Sequence, residues 1–145
     1  MITPVSVSPV YIRAIPATAQ LLQRSIYRLR WSDMDAFGHV NNAMYFTYFE
    51  QVRVDWLESI GARHELVLAN VSCSFLRPLK HPAELEVRLY AGSPGHSSLP
   101  TWYEILQPET TAALCAIGHG TVVWYDHQAG ESVRIPADVL ANLAD

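Results

Sequence analysis

The run Asp33-Met34-Asp35-Ala36-Phe37-Gly38-His39-Val40-Asn41-Asn42 places two carboxylates and a histidine in one short loop that leads into a helix start. The first backbone N–H groups of a helix have no acceptor within it, and they carry a partial positive charge. A carboxylate fixed beside such a terminus can serve as a general base or as a nucleophile. The pairing suits attack on a polarised carbonyl.

The elements around the loop must hold it still. The spacing predicts a helix from Asn42 to about Ile60. Tyr45, Phe49, Val52, Trp56 and Ile60 form one stripe, flanked by Phe46 and Tyr48, while Thr47, Gln51, Asp55 and Glu58 form the wet side. Asn41 or Asn42 is the expected N-cap, and Gly61 the residue just past the helix end. So wide an apolar arc needs a large sheet around it. Arg53 falls within that arc and is expected to pair with Glu50 one turn back, or with a loop carboxylate.

Before the loop, Ser25–Trp31 alternates: Tyr27, Leu29 and Trp31 face one way, Ile26, Arg28 and Arg30 the other. After the helix come four strand-like runs, around Val67–Phe75, Glu84–Leu89, Leu99–Ile105 and Ala112–Tyr125. Pro78 and Pro82, then Gly92–Gly95, then Pro108–Thr110, mark the turns between them. Short connections predict antiparallel neighbours in a meander. Pro100 within a strand implies an edge, a bulge or a local break. Gly118 and Gly120 share one face of the last strand, where they would make a smooth lane for the helix, the favoured reading, or for an extended arm of a ligand. Pro136 opens a short terminal helix with Val139, Leu140 and Leu143 on its apolar side. Residues 1–24 read as an N-terminal arm, with Val5, Val7, Tyr11 and Ile12 in a short edge strand and Ala17–Gln23 as a helical turn. Residues 25–145 form the domain, of α+β class.

Composition narrows the function classes. A chain of 145 residues supports one domain with its own core. Half of the residues are hydrophobic and 17% are charged, which points to apolar surface covered by another copy of the chain. The net charge of −4, with no basic stripe, argues against nucleic acid. Cys73 and Cys115 lie within apolar strand-like runs and are expected to be buried free thiols. Their spacing does not suit a metal finger, so no metal is expected. No run reaches the roughly 18 apolar residues of a membrane span. The proline-interrupted start makes a poor signal peptide, so a cytoplasmic location is expected.

The loop motif, continued by Ala43-Met44-Tyr45-Phe46, resembles the opening signature of hotdog-fold acyl-CoA thioesterases, most of all the 4-hydroxybenzoyl-CoA thioesterase branch. Phe75-Leu76-Arg77-Pro78-Leu79, the Gly95-His96-Ser97-Ser98 turn and the Gly118…Val122-Val123 strand are also similar, so the likeness covers about residues 25–127. It implies a hotdog fold, a curved antiparallel sheet of about five strands wrapped around one long central helix. It also implies a homodimer built edge to edge, often a dimer of dimers (a homotetramer), with sites at the subunit boundary. The substrate would be the thioester of coenzyme A or of acyl carrier protein. No cofactor is implied, since CoA is part of the substrate.

Residue by residue, Asp35 matches the catalytic carboxylate, as base or as nucleophile. By the same alignment the Asn42 N–H, or a neighbour within one residue, would hold the oxyanion. One such donor is worth roughly 3 kcal/mol. His39 would position substrate or act as an acid, and it keeps alive an acyl-thioester hydratase or dehydratase reading. Gly38 gives either a backbone shape closed to other residues or close ligand approach. Asp33 is expected to be structural, accepting from loop N–H groups or from Arg53, and Glu50 is a lesser acid candidate. Tyr45, Phe46, Phe49 and Trp102 are candidates to line the acyl pocket. Arg77, Lys80, Arg88 and His96 are candidates to hold the nucleotide end of CoA or to meet an acidic carrier protein. A further alternative is a non-catalytic acyl-CoA binding module. His81-Pro82-Ala83-Glu84 replaces a Gly-Asp turn common in that family.

Overall fold

The chain winds one long helix into an antiparallel sheet. The computed structural model describes residues 14–62, 65–110 and 113–143. In order these are β1 (Gln20–Arg28), α1 (Asn42–Ser59), β2 (Leu66–Phe75), β3 (Glu84–Ala91), β4 (Ser98–Gln107), β5 (Ala113–Asp126), β6 (Glu131–Ser132) and α2 (Ala137–Leu140). The strands lie β1-β3-β4-β5-β2, and the short β6 pairs with the end of β5. The sheet curves around α1 as a hotdog does.

Helix boundaries follow the end signals. Asn41 caps the start by accepting the Ala43 N–H through its side chain at 2.9 Å. Gly61 adopts a positive φ of +67° just beyond the last turn. Phe49, Val52 and Trp56 turn inward onto Leu85, Val87 and Leu89 of β3 and Leu99, Tyr103 and Ile105 of β4, all of them buried. In β3 the charged Glu84, Glu86 and Arg88 take the alternate, half-buried positions.

Several expectations change. Of the four strands expected in the meander, β3, β4 and β5 form one and β2 does not. β2 pairs with β5 and β1 with β3, so the 76–83 connection carries the chain across the fold instead of closing a hairpin. It is tied on the way: Val40 N–H donates to the Leu79 carbonyl at 2.8 Å, and Leu29 N–H to that of Ala83 at 2.9 Å. β1 begins at Gln20, not Ser25, and replaces most of the helical turn expected at Ala17–Gln23. An irregularity between Leu21 and Gln23 breaks the two-residue alternation there and hid the strand. Trp31 leaves the strand face altogether. It opens a short 3-10 turn, Trp31–Asp33, and stands 77% exposed. Pro100 causes no break, since β4 runs through it and its carbonyl accepts the Gly92 N–H. Val5, Val7, Tyr11 and Ile12 lie outside the described residues.

Arg53 does not pair with Glu50 or with the loop. Its buried guanidinium donates to the Tyr103 hydroxyl at 3.1 Å and lies 5.7 Å from the centre of that ring. Gly118 makes room for the helix: a Cβ there would stand 2.5 Å from the Phe49 ring. Gly120 serves a different neighbour, because its Cβ would meet the Asn70 carbonyl oxygen of β2 at 2.8 Å. Cys73 and Cys115 are free, and burial pushes the Cys73 thiol up to about 12. No described helix is long and apolar enough to cross a membrane.

Candidate active site

The loop between β1 and α1 is a closed knot of backbone hydrogen bonds. Asp35 N–H donates to the His39 carbonyl at 3.0 Å, and Gly38 N–H to that of Asp35 at 3.1 Å. Met34 and Val40 pair as an isolated bridge below this turn. Gly38 has a φ of +84°, and a Cβ on it would touch nothing within 4 Å. The glycine is therefore needed for its backbone conformation and not for space.

Asp35 is half-buried in this turn. Its Oδ1 accepts the Phe37 N–H at 2.9 Å, which fixes the side chain in an Asx-type turn. Its other oxygen has no hydrogen-bond partner among the described residues. At the helix start, Ala43 N–H goes to the Asn41 side chain and Met44 N–H to the Asn41 carbonyl. The Asn42 N–H is left without an acceptor among the described residues.

A cleft of about 270 Å³ opens at this point, lined by His39, Asn42 and Tyr45 from the loop and helix and by Phe75, Leu76 and Arg77 from the end of β2. Tyr45 meets Phe75 edge to face at 4.8 Å. Burial pushes its phenol up to about 12, so it stays neutral across the physiological range. The histidine, the unpaired amide and an arginine thus share one concave surface. Asp35 stands in the turn that leads to this surface and is not part of its lining.

The remaining candidates scatter. Gly38 and Lys80 are outside the lining, Lys80 being exposed on the 76–83 connection. Phe49 is wholly buried and stacked on Tyr103 at 4.6 Å, so it is core. His96 belongs to the β3–β4 turn, which leads into Ser98, the partner of Val123; Phe75 pairs with Ala116, toward the other end of β5. Within one chain His96 is therefore remote from the cleft. Trp102 stacks on His119 at 4.8 Å on the sheet face that points away from α1, and it is not part of the lining of this cleft. Arg88 is engaged with Glu86 and Glu104. Glu50 is exposed on α1.

Sequence reasoning missed Phe75 and Leu76 as lining, because it placed both on strand and turn without knowing that β2 ends beside the helix start. It also missed Tyr48, whose hydroxyl donates to the buried Asp33 carboxylate at 2.9 Å. The helical stripe marks Tyr48 as inward-facing but carries no sign of what its hydroxyl meets.

Comparisons with known proteins agree with the fold. The sequence model of the thioesterase-like superfamily matches residues 29–143. The fold is similar to that of the PA2801 protein of Pseudomonas aeruginosa, with a TM-score of 0.81 and 37% identity, over 86% of this chain and 100% of that one. The chain is 31% identical to YsmA of Bacillus subtilis (strain 168) over 110 residues, covering 72% of this chain and 74% of that protein. It is 29% identical to the chloroplastic acyl-acyl carrier protein thioesterase ATL3 of Arabidopsis thaliana over 123 residues, covering 77% of this chain and 62% of that protein.

Proposed function

The chain belongs to the thioesterase-like superfamily, and from that premise we propose that it hydrolyses the thioester of an acyl-CoA or of an acyl carrier protein, using Asp35 and the Asn42 N–H. Hydrolysis of a thioester is the chemistry of the family. The acyl donor and the residue roles are our reading.

Two observations support it: the Asn42 amide, unspent among the described residues, belongs to a residue that lines the cleft, and the turn leading to that cleft carries a carboxylate tethered by only one oxygen. Capping uses up the neighbouring N–H groups and leaves Asn42 to point at a ligand. The Phe37 N–H holds one oxygen of Asp35, while the other is available to a water or to the carbonyl carbon. In the base route, Asp35 takes a proton from water as its oxygen bonds to the thioester carbon. The carbonyl oxygen becomes an oxyanion held by the Asn42 N–H. The carbon–sulfur bond then breaks, and the thiol leaves with the proton. In the nucleophile route Asp35 bonds to the carbon first and the carbon–sulfur bond breaks, releasing the thiolate, which takes a proton from solvent; water then hydrolyses the resulting anhydride, freeing the acid and regenerating the Asp35 carboxylate. Oxyanion donors of this kind contribute roughly 3 kcal/mol each, and general-base help about 10²- to 10⁴-fold.

Arg77 at the mouth of the cleft and the exposed Lys80 nearby in sequence suit the phosphates of CoA or an acidic carrier surface. Because the likeness to ATL3 brings an acyl carrier protein into view, both donors belong in the test. A second copy of the chain pairing along β2, the edge of the sheet among the described residues, would cover the cleft from the side where Phe75 and Leu76 lie exposed. A homodimer is therefore part of the reading, as is a cytoplasmic location.

The experiment is thiol release from saturated and enoyl thioesters of CoA and of acyl carrier protein. Thiol release from both saturated and enoyl substrates is expected. Loss of the double bond without thiol would replace hydrolysis with hydration, and binding without turnover would make the protein an acyl-CoA binding module.

A further inference from the structure

The loop that carries the chemistry is latched to the helix by a residue outside the cleft. We propose that Asp33 is a positioning residue, which with Tyr48 and Arg30 sets Asp35 and the Asn42 amide in register with each other. This inference rests on the hydrolysis proposed above.

Asp33 is 3% exposed, yet it is a carboxylate. Burying such a group is costly unless several donors compensate it. Three do. Its Oδ2 accepts the Tyr48 hydroxyl at 2.9 Å and the Arg30 backbone N–H at 3.1 Å. Its Oδ1 meets the Arg30 guanidinium at 3.2 Å. The backbone of the same residue closes the loop: the Asp33 carbonyl accepts the Asn41 N–H at 3.0 Å, and the Asp33 N–H donates to the Arg30 carbonyl at 3.0 Å. One residue thus ties the neck of the 33–41 loop, the end of the β1 segment and the second turn of α1.

Asp35 and Asn42 sit on opposite sides of that neck. Asp35 follows Asp33 by one bridged residue, Met34, and Asn42 follows Asn41, whose N–H Asp33 holds. Their separation is set by how Asp33 is anchored, and the anchor on α1 is the Tyr48 hydroxyl. On the far side, Asp33, Arg30, Tyr48, Met44 and Gln51 line a second cavity of about 440 Å³ between α1 and β1. Met34 and the buried Val40 pack the neck against the core from one side, whereas on the cavity side the Asp33 carboxylate is held by its hydrogen bonds and ion pair. A misplacement of about 1 Å at a reacting group can cost on the order of 10² in rate.

The test is Tyr48→Phe, which keeps the ring and removes only the hydroxyl. We expect kcat to fall about 5- to 50-fold with KM nearly unchanged, as a loss of alignment requires. Amide hydrogen exchange at Phe37, Gly38 and Asn41 should quicken while the core strands stay protected. In an Asp35→Asn background the same change should lower the residual rate no further, because the latch acts through Asp35. Asp33→Asn, which weakens the same anchor, should behave alike and should not add to Tyr48→Phe. Wild-type kcat and wild-type exchange in Tyr48→Phe would overturn the proposal. So would faster exchange spread over the whole sheet, which is what a merely structural role produces. Exchange decides the latch even if no thioester proves to be a substrate, so the two failures are distinguishable.

Discussion

Three aspartates within one fold illustrate how surroundings divide a single chemistry. Asp33 is buried and held by three donors, Asp35 is held by one oxygen and has the other free, and Asp55 fastens α1 to β1. Asp55 accepts from Ser25 at 2.8 Å, from Gln51 at 3.0 Å and from the Tyr27 hydroxyl. Burial alone would raise its carboxyl, but the hydrogen bonds from Tyr27, Gln51 and Ser25 outweigh that and hold it below the ordinary value of 3.8. A lowered carboxyl adds stability that is present above its unfolded value and lost as pH falls through its folded one. Urea unfolding of wild type and Asp55→Asn should therefore show wild type more stable at neutral pH, with the gap closing below pH 3.8. A gap that persists or widens in acid would deny the carboxylate that part. Of the three, the structural part of Asp33 was expected from the sequence, though with loop N–H groups or Arg53 as donors in place of Arg30 and Tyr48, while the part proposed for Asp35 comes from the resemblance of its loop. The bond from Tyr48 to Asp33 joins residues 15 apart on different elements, and no local pattern encodes it.

Element by element, the helix was the most readable part. Its stripe, its asparagine cap and its terminal glycine each follow from local rules, and Asn42–Ser59 falls within two residues of the expectation. Arg53 was misread because helical spacing offers Glu50 as a neighbour, whereas the fold offers the hydroxyl of Tyr103 on β4. The lane made by Gly118 was legible as a close approach, and the structure identifies Phe49 as the side chain it admits. Phe49 is wholly buried and stacked between that lane and Tyr103, so it has nowhere to retreat. Gly118→Ala should accordingly cost about 1–3 kcal/mol of unfolding free energy, as overpacking does. Chemical denaturation measures this directly, and an unchanged midpoint and slope would mean that α1 can slide away from β5.

At the scale of the whole molecule, alternation announced the strands but not their order. A period of two tells which face of a strand is buried and says nothing of which strand lies beside it. The place of β2 at the sheet edge depends on the path of residues 76–83 under the loop, and so does the cleft, since β2 delivers Phe75, Leu76 and Arg77 to the helix start. That edge has no strand on its outer side among the described residues, and Leu68, Phe75 and Leu76 stand exposed along it or just beyond its end. Sedimentation at micromolar concentration should find a dimer, and a folded, fully active monomer would contradict the shared-site reading. The most direct test of the central claim is steady-state thiol release by wild type and Asp35→Asn on the best thioester found, each checked for an intact fold by its melting temperature. A fall in kcat of at least about 10² with the fold retained is expected. Near-wild-type turnover in Asp35→Asn would contradict it.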